Sequence, residues 1–175
     1  ERGVERCLPT YEGKMITIFD HRFASASFSQ NAVMRQGEAT QTTALDHNNC
    51  TYMALPRYWV HEHEVDKRLN HEEILYLLSF MDVTSSTNHR TMISCLLPKA
   101  SVVHKLPLIF THANNNMKCC LYAMFNSMIF DYCVRQKLGG ISLTYFVLKQ
   151  LPAVHPDYFE STQVEIAERV LELTY

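Results

Sequence analysis

The sequence has little glycine, and it lacks the motifs that glycine builds. Only five of its 175 residues are glycine, and they form no GxGxxG or phosphate-loop pattern. The GxSxG turn of serine hydrolases and the HExxH motif of zinc peptidases are also absent. The sequence therefore carries no signature of nucleotide binding or hydrolysis, and we assign no catalytic, cofactor-binding or metal-binding residue.

Paired cysteines, long apolar runs and an excess of positive charge are missing too. The six cysteines show no CxxC spacing, so we expect reduced, mostly buried thiols in a cytoplasmic protein. No run of about 18 apolar residues occurs, so we expect no membrane-spanning helix. The first residues show no secretory signal. The net charge of −2 argues against a freestanding nucleic-acid binder, but it permits a module that adds base contacts beside another domain.

The composition itself is that of a globular domain. Hydrophobic residues make up 47% of the chain and charged residues 19%, and 175 residues suffice for one sizeable core. We therefore expect residues 1–175 to form a single domain. Because the chain begins at Glu1 without a methionine, we also expect it to be a piece of a longer protein.

Apolar and β-branched segments predict strands at residues 15–23, 77–83, 91–97 and 106–111. The polar stretch 24–54 has no clear period and is predicted to form a long loop. A short helix is predicted at 62–69, while residues 141–150 fit a strand or a helix. A final helix is marked by Ile166, Val170, Leu171 and Leu173. These elements predict an α+β fold whose mixed, largely antiparallel sheet packs against helices.

The strongest helical pattern covers residues 118–137, after an N-cap cluster at 114–116. Asp131 and Arg135 are predicted to pair on its polar side, and Gly139 with Gly140 to end it in the left-handed conformation. The predicted buried face consists of Leu121, Met124, Phe125, Met128, Ile129 and Tyr132.

Polar and cationic side chains gather at the ends of these elements. His21 and Arg22 follow an apolar segment, where they form either a solvated strand end or a contact to nucleic acid. Arg57 and Tyr58 precede Trp59, an interleaving typical of base-stacking surfaces, although Trp59 also suits a protein core.

Two further clusters lie in a polar turn between two apolar segments and at the C-terminal end of the long helix pattern. In the polar turn 85–90, Asn88 suits adenine and Arg90 suits guanine, but Arg90 equally suits a bond to a nearby carboxylate. Arg135 and Lys137 lie where the helix dipole favours cations, and they also suit phosphate contacts.

Five segments taken together resemble one protein family. They are YEGKM (11–15), FDHRF (19–23), PRYWV (56–60), TNHRTMISCLLP (87–98) and the stretch from FNSMIFDYCVRQKLGG to LTYFVLKQLP within 125–152. Over about residues 11–175 the chain is similar to the C-terminal TaqI-like target-recognition domain of bacterial adenine-specific DNA methyltransferases. These enzymes belong to restriction–modification and phage-defence systems.

The resemblance implies a parent enzyme that methylates the amino group of an adenine flipped out of double-stranded DNA. S-adenosylmethionine and the Asn-Pro-Pro-Tyr catalytic motif would belong to an upstream catalytic domain, so this fragment would not be an enzyme alone. It would hold the duplex, read the target sequence and contact that catalytic domain. The DNA-contacting residues expected are Lys14, His21, Arg22, Arg57, Tyr58, Asn88, Arg90, Arg135 and Lys137.

Two other functions stay open. A protein-interaction module of the same type of defence complex would expose apolar surface, whereas a recognition domain would gather its cations on one concave face. An independent hydrolase using His and Asp has no motif to support it.

Overall fold

The computed structural model describes residues 5–27, 38–70 and 74–174, and these form an α+β fold, as predicted. The strands are β1 (Cys7–Tyr11), β2 (Ala24–Ser27), β3 (Glu38–Gln41), β4 (Trp59–His61), β5 (Tyr76–Phe80), β6 (Ser94–Pro98), β7 (Ser101–Val102) and β8 (Leu108–Ile109). The helices are α1 (Ala44–His47), α2 (Glu62–Arg68), α3 (Asn115–Asn126), α4 (Met128–Lys137), α5 (Tyr145–Leu148) and α6 (Gln163–Thr174).

The described strands form three small sheets instead of one. The central sheet has the order β6-β5-β8 and is antiparallel. A second sheet has the order β4-β1-β7, in which β4 is antiparallel to β1 and β7 is parallel to it. Strands β2 and β3 pair as an antiparallel ribbon. The predicted mixture of pairings, mostly antiparallel, is confirmed.

The central sheet separates two hydrophobic cores. Leu77 of β5 and Leu97 of β6 face the core that contains β1 and α2. Leu78 and Phe80 of β5 face the opposite way, into the core that contains α3, α4 and α6. Because successive side chains of a strand point to opposite faces, the nearly continuous apolar run of β5 supplies both cores.

Residues 15–23 do not form the predicted strand. A short 3-10 turn at Gly13–Met15 is followed by a tight turn in which Thr17 and Asp20 exchange backbone hydrogen bonds of 2.9 and 3.2 Å. Phe19 lies in this turn in the left-handed region, with φ of 61°. Its ring packs edge-on against Tyr122 at 5.1 Å between centroids, and this contact supports a conformation that is unfavourable for a bulky residue.

The prediction of one long loop at residues 24–54 is wrong in part. Ala24 and Ala26 are buried on one face of β2, a short period-two pattern of small side chains that pairs with β3. Helix α1 follows, and its first turn carries a reciprocal capping box between Thr43 and Asp46. Residues 28–37 lie outside the described chain.

The predicted helix 118–137 is two helices, α3 and α4, which meet at Ser127. Ser127 has extended backbone angles, φ −69° and ψ 150°, and its hydroxyl accepts a hydrogen bond from the N–H of Phe130 as the N-cap of α4. The break changes the face that α4 buries. Met128, Ile129 and Tyr132, predicted as core, are 80%, 79% and 63% exposed.

The end of α4 also differs from its prediction. Leu138 caps the helix with φ of −75°, and no glycine of the described residues has a positive φ. The predicted N-cap at 114–116 is confirmed, since Asn114 caps α3, and the helix predicted at 62–69 forms as α2, with Val65 and Leu69 buried. In α6 Val170 is buried, but Leu171 and Leu173 are 57% and 61% exposed. Within the described residues, no helix combines the length and apolarity needed to cross a bilayer.

Candidate nucleic-acid interface

The polar segment 85–90, which we call the clamped loop, lies in the middle of the connection between β5 and β6. Its two ends are tied together, because the Thr84 hydroxyl donates to the Thr91 carbonyl at 2.8 Å and the Thr91 hydroxyl donates to the Ser85 carbonyl at 3.1 Å. The backbone N–H of Asn88 donates to the same Ser85 carbonyl at 3.1 Å. The loop is therefore a closed turn, as the polar spacing predicted.

Arg135 of α4 fixes the loop from outside. Its guanidinium donates to the carbonyl oxygens of Ser86 at 2.9 Å, Asn88 at 2.7 Å and His89 at 2.6 Å. Its Nε donates to Asp131 at 2.9 Å. These four bonds occupy the guanidinium within the protein, and the side chains of Ser86, Thr87, Asn88 and His89 are exposed.

Asp131 anchors the other end of this arrangement. It is buried, not on the polar side as predicted, and its Oδ1 accepts the N–H groups of Thr91 and Met92, both at 2.7 Å. Burial by itself would raise the pKa of Asp131. The hydrogen bonds from Arg135 and from the two backbone N–H groups outweigh burial, so the pKa lies below its ordinary value.

Arg90 suited either a guanine contact or a bond to a nearby carboxylate, and in the structure its side chain points into the protein, towards Asp131. One nitrogen of its guanidinium donates to the Asn126 carbonyl at the end of α3, and its Nε lies 3.9 Å from Asp131. The Arg90 side chain is only 15% exposed. Arg90 thus connects the clamped loop to both long helices.

The segment that follows α4 lies beside the loop. The Thr84 N–H donates to the Ile141 carbonyl at 3.1 Å, and the Leu143 N–H donates to the Asp82 carbonyl at 2.7 Å. Lys137 and both following glycines are exposed, and no ion pair is formed by Lys137 within the described residues. The clamped loop is therefore held against α4 and the segment that follows it, with Asn88 and His89 exposed on its surface.

A second group of predicted residues surrounds Glu12. Arg57 donates to both oxygens of the Glu12 carboxylate, at 2.7 and 2.5 Å, and the Lys14 ammonium lies 3.5 Å from it. Burial would raise the pKa of Glu12, but these cations hold it below its ordinary value. The Arg57 guanidinium lies 5.3 Å from the ring centre of Tyr58, which is 46% exposed. Trp59, for which a core position was the alternative, is 48% exposed on the edge strand β4.

His21 and Arg22 form a third group, at the turn after Asp20. Both are half-buried, and the Arg22 N–H donates to the Asp20 carboxylate at 2.7 Å. Burial lowers the pKa of His21, and the charge of Arg22 lowers it further against an opposing effect of Asp20. At neutral pH this imidazole is uncharged, which makes His21 a poor phosphate ligand.

The structure thus brings Asn88, Arg90 and Arg135 together, whereas Lys137 is exposed at the end of α4 without a described contact to the loop. Sequence reasoning singled out the 85–90 stretch, but it did not choose the exposed Ser86, Thr87 or His89. The only feature of the sequence that could have indicated these three residues is their position in a polar turn. It also did not foresee that Arg135 holds the backbone of that turn.

No group of three His, Cys, Asp or Glu side chains within the described residues is placed to hold a metal ion. His61 and His63 have their rings 5.6 Å apart, and the nearest carboxylates are Glu5 and Glu64. No family model, curated protein or solved structure matches the chain.

Proposed function

We propose that the chain is the DNA target-recognition module of an adenine-specific, S-adenosylmethionine-dependent DNA methyltransferase or of a fused restriction–modification enzyme. The observation that carries this proposal is the clamping of residues 85–90 by Arg135, with three carbonyl bonds of 2.6–2.9 Å. A loop held by its backbone presents its side chains in a fixed arrangement, and base reading needs that order because each contact is directional.

Roles follow from the bonds of each residue. The exposed Asn88 amide is suited to an adenine edge, which a carboxamide meets with one donor and one acceptor. The Lys137 ammonium is suited to a phosphate. Arg135 and Arg90, also expected to touch DNA, act in this proposal as positioning residues for the loop, because their guanidinium groups are bonded inside the protein.

The chain supplies no reacting group in this proposal. The methyl donor would be held by the catalytic domain of the parent chain, in the cytoplasm, while this module places the duplex. The acidic balance, with a net charge of −2, supports a division of labour in which another domain provides most of the phosphate attraction.

Selection of duplexes from a random library, followed by binding measurements at several salt concentrations, tests the proposal. Asn88→Ala should reduce the preference for the selected sequence by about 1–3 kcal/mol. Lys137→Gln should weaken binding to all duplexes alike and lower the salt slope by about one charge. Lys67→Gln, an exposed lysine of α2, is the matched control. Absence of any enriched sequence would contradict the proposal.

A protein-interaction role is the second candidate, and the exposed face of α4 favours it. Met128, Ile129 and Tyr132 lie at helical spacing on one stripe and are each more than half exposed. The occupant would be the catalytic domain of the same parent chain. Under this role Ile129→Gln should reduce co-purification with that domain, while Asn88→Ala and Lys137→Gln leave duplex binding unchanged.

A further inference from the structure

A second cationic site lies away from the clamped loop, in a groove between α2, β5, β8 and the start of α3. The groove has a volume of about 430 Å³, within the roughly 300–1,000 Å³ of small-ligand pockets. Its floor is apolar and its rim carries cations and aromatic rings. The lining includes Arg68, Lys118, Tyr76 and Phe110 beside the apolar Leu77 and Leu78.

The cations of this groove differ from most others in the described chain. Arg57, Lys99 and Lys105 are bonded to carboxylates at 2.9 Å or less. Arg68 and Lys118 form no ion pair within the described residues, and no described carboxylate lines the groove. Within the described residues, the charges of Arg68 and Lys118 are therefore left for an anion to meet.

Two aromatic side chains, Phe110 and Tyr76, line the same groove as those cations. Phe110 is 62% exposed and follows strand β8, whose two residues are half-buried. The Tyr76 ring is fixed by its hydroxyl, which donates to the Asn115 side chain at 2.8 Å, and the Lys118 ammonium lies 5.9 Å from the ring centre. Aromatic rings and cations that line one groove can meet a base and its phosphate together.

We propose that this groove binds one unpaired nucleotide, with its base against Phe110 and Tyr76 and its phosphate between Arg68 and Lys118. An isolated anion would leave the apolar floor and the exposed ring uncovered, whereas a nucleotide covers both. This inference rests on the proposed function for the source of the nucleotide, an unpaired position in a DNA strand. A free mononucleotide has the same chemistry, and the experiment separates the two sources.

Fluorescence anisotropy of a labelled short single strand tests the groove, with a blunt duplex of the same sequence in parallel. Phe110→Ala should weaken single-strand binding by about 5- to 50-fold, as loss of one stacked base does. Phe110→Trp should restore it, and its indole fluorescence should be quenched by the bound strand. Arg68→Gln and Lys118→Gln should each weaken binding and lower its salt dependence.

Matched controls separate this site from general effects. Lys67→Gln removes the neighbouring charge of α2, and Phe146→Ala removes an equally accessible phenylalanine that is 76% exposed. Both should bind the single strand like the unaltered chain. Competition with deoxyadenosine monophosphate identifies a free nucleotide as a ligand, whereas binding that depends on Phe110 but resists this competitor identifies the strand.

Single-strand affinity that is unchanged in Phe110→Ala and in Arg68→Gln overturns the inference. The proposed function fails separately, through the absence of a selected duplex sequence. Single-strand binding that depends on Phe110, without any duplex selectivity, would support the nucleotide site and contradict the target-reading function. Selective duplex binding that depends on Asn88 with no effect of Phe110 would do the reverse.

Discussion

At the scale of single residues, Asp131 holds two parts of the chain together. Its carboxylate accepts two backbone N–H groups from the segment that enters β6 and one Nε–H from Arg135 on its own helix. The i, i+4 spacing predicted the pair with Arg135. It did not predict burial, because burial depends on the approach of residues 91–92, about forty positions earlier in the chain.

We expect Asp131→Asn to lower the free energy of unfolding at neutral pH by about 2–3 kcal/mol, since a charged acceptor of three hydrogen bonds is lost. The folded-state pKa of Asp131 lies below its ordinary value. Its contribution is therefore complete above the unfolded-state pKa and is lost as the pH falls through the folded-state value. Urea unfolding at neutral and at acidic pH should show the difference between the two proteins narrowing with acidification.

The control for this prediction is Asp157→Asn, whose side chain is 74% exposed in the unaltered chain. It should change stability by less than about 0.5 kcal/mol. A difference between Asp131→Asn and the unaltered chain that stays constant down to acidic pH would show that the carboxylate charge is not the cause.

Arg135 offers a second test at this scale. We expect Arg135→Ala to accelerate hydrogen exchange at the amides of residues 85–90, because three backbone carbonyls lose their donor. Arg135→Lys should restore little of the protection, since one ammonium group lacks the planar fork that spans these carbonyls. Mass-spectrometric exchange measures the change. Arg169→Ala, which removes a surface pair with Glu172, should leave those amides unaffected.

At the scale of secondary structure, the decisive element boundary is Ser127. A periodicity count from 118 to 137 assumes one continuous helix, so it assigns the face of α4 from the phase of α3. The extended backbone of Ser127 interrupts that phase, and Phe130 and Val134 become the buried residues. A serine amid an apolar pattern is a signal for an N-cap, and it was outweighed by the regularity of the flanking residues.

Ser127→Ala should lower the free energy of unfolding by about 0.5–2 kcal/mol, because the Phe130 N–H loses its acceptor. Ser127→Asp keeps an acceptor at the same position and should retain most of the stability. Thermal or urea unfolding measures both variants. Equal losses in the alanine and aspartate proteins would mean that the cap does not stabilise the junction.

Local patterns predicted the elements whose causes are local. The α2 segment, the adjacent strands β5 and β6 and the Asn114 cap follow from short-range spacing. The parallel pairing of β1 with β7 and the bond of Arg57 to Glu12 join residues far apart in sequence, and no single segment encodes them. The 85–90 turn is contained in one polar segment and was therefore predictable. The groove near Phe110 is formed by four separate elements, so no single segment predicts it.

At the scale of the whole molecule, the cysteines report on the packing of both cores. All six thiols are free, as predicted, but Cys7 and Cys50 are exposed, so the expectation of mostly buried thiols is wrong in part. Cys95 is buried in the first core and Cys119 in the second. Burial raises the pKa of both thiols, which lowers the fraction of reactive thiolate.

Labelling with a thiol-specific disulfide reagent should therefore proceed in separate phases. Cys7 and Cys50 should react at once, whereas Cys95, Cys119 and Cys120 should react only as the protein unfolds. A double variant, Cys7→Ser with Cys50→Ser, should lose the fast phase alone. Fast reaction of the buried thiols at neutral pH without denaturant would contradict the close packing of the cores.

The strand β5 limits where this chain can be divided. The side chains of β5 point alternately into the two cores. Dividing the chain beside β5 would therefore leave an apolar face uncovered in each half. A graft of residues 85–90 into another protein should include Asp131 and Arg135, because these side chains hold the loop, and should leave β5 intact. Grafting residues 85–90 alone would transfer the exposed side chains without the hydrogen bonds that fix the loop.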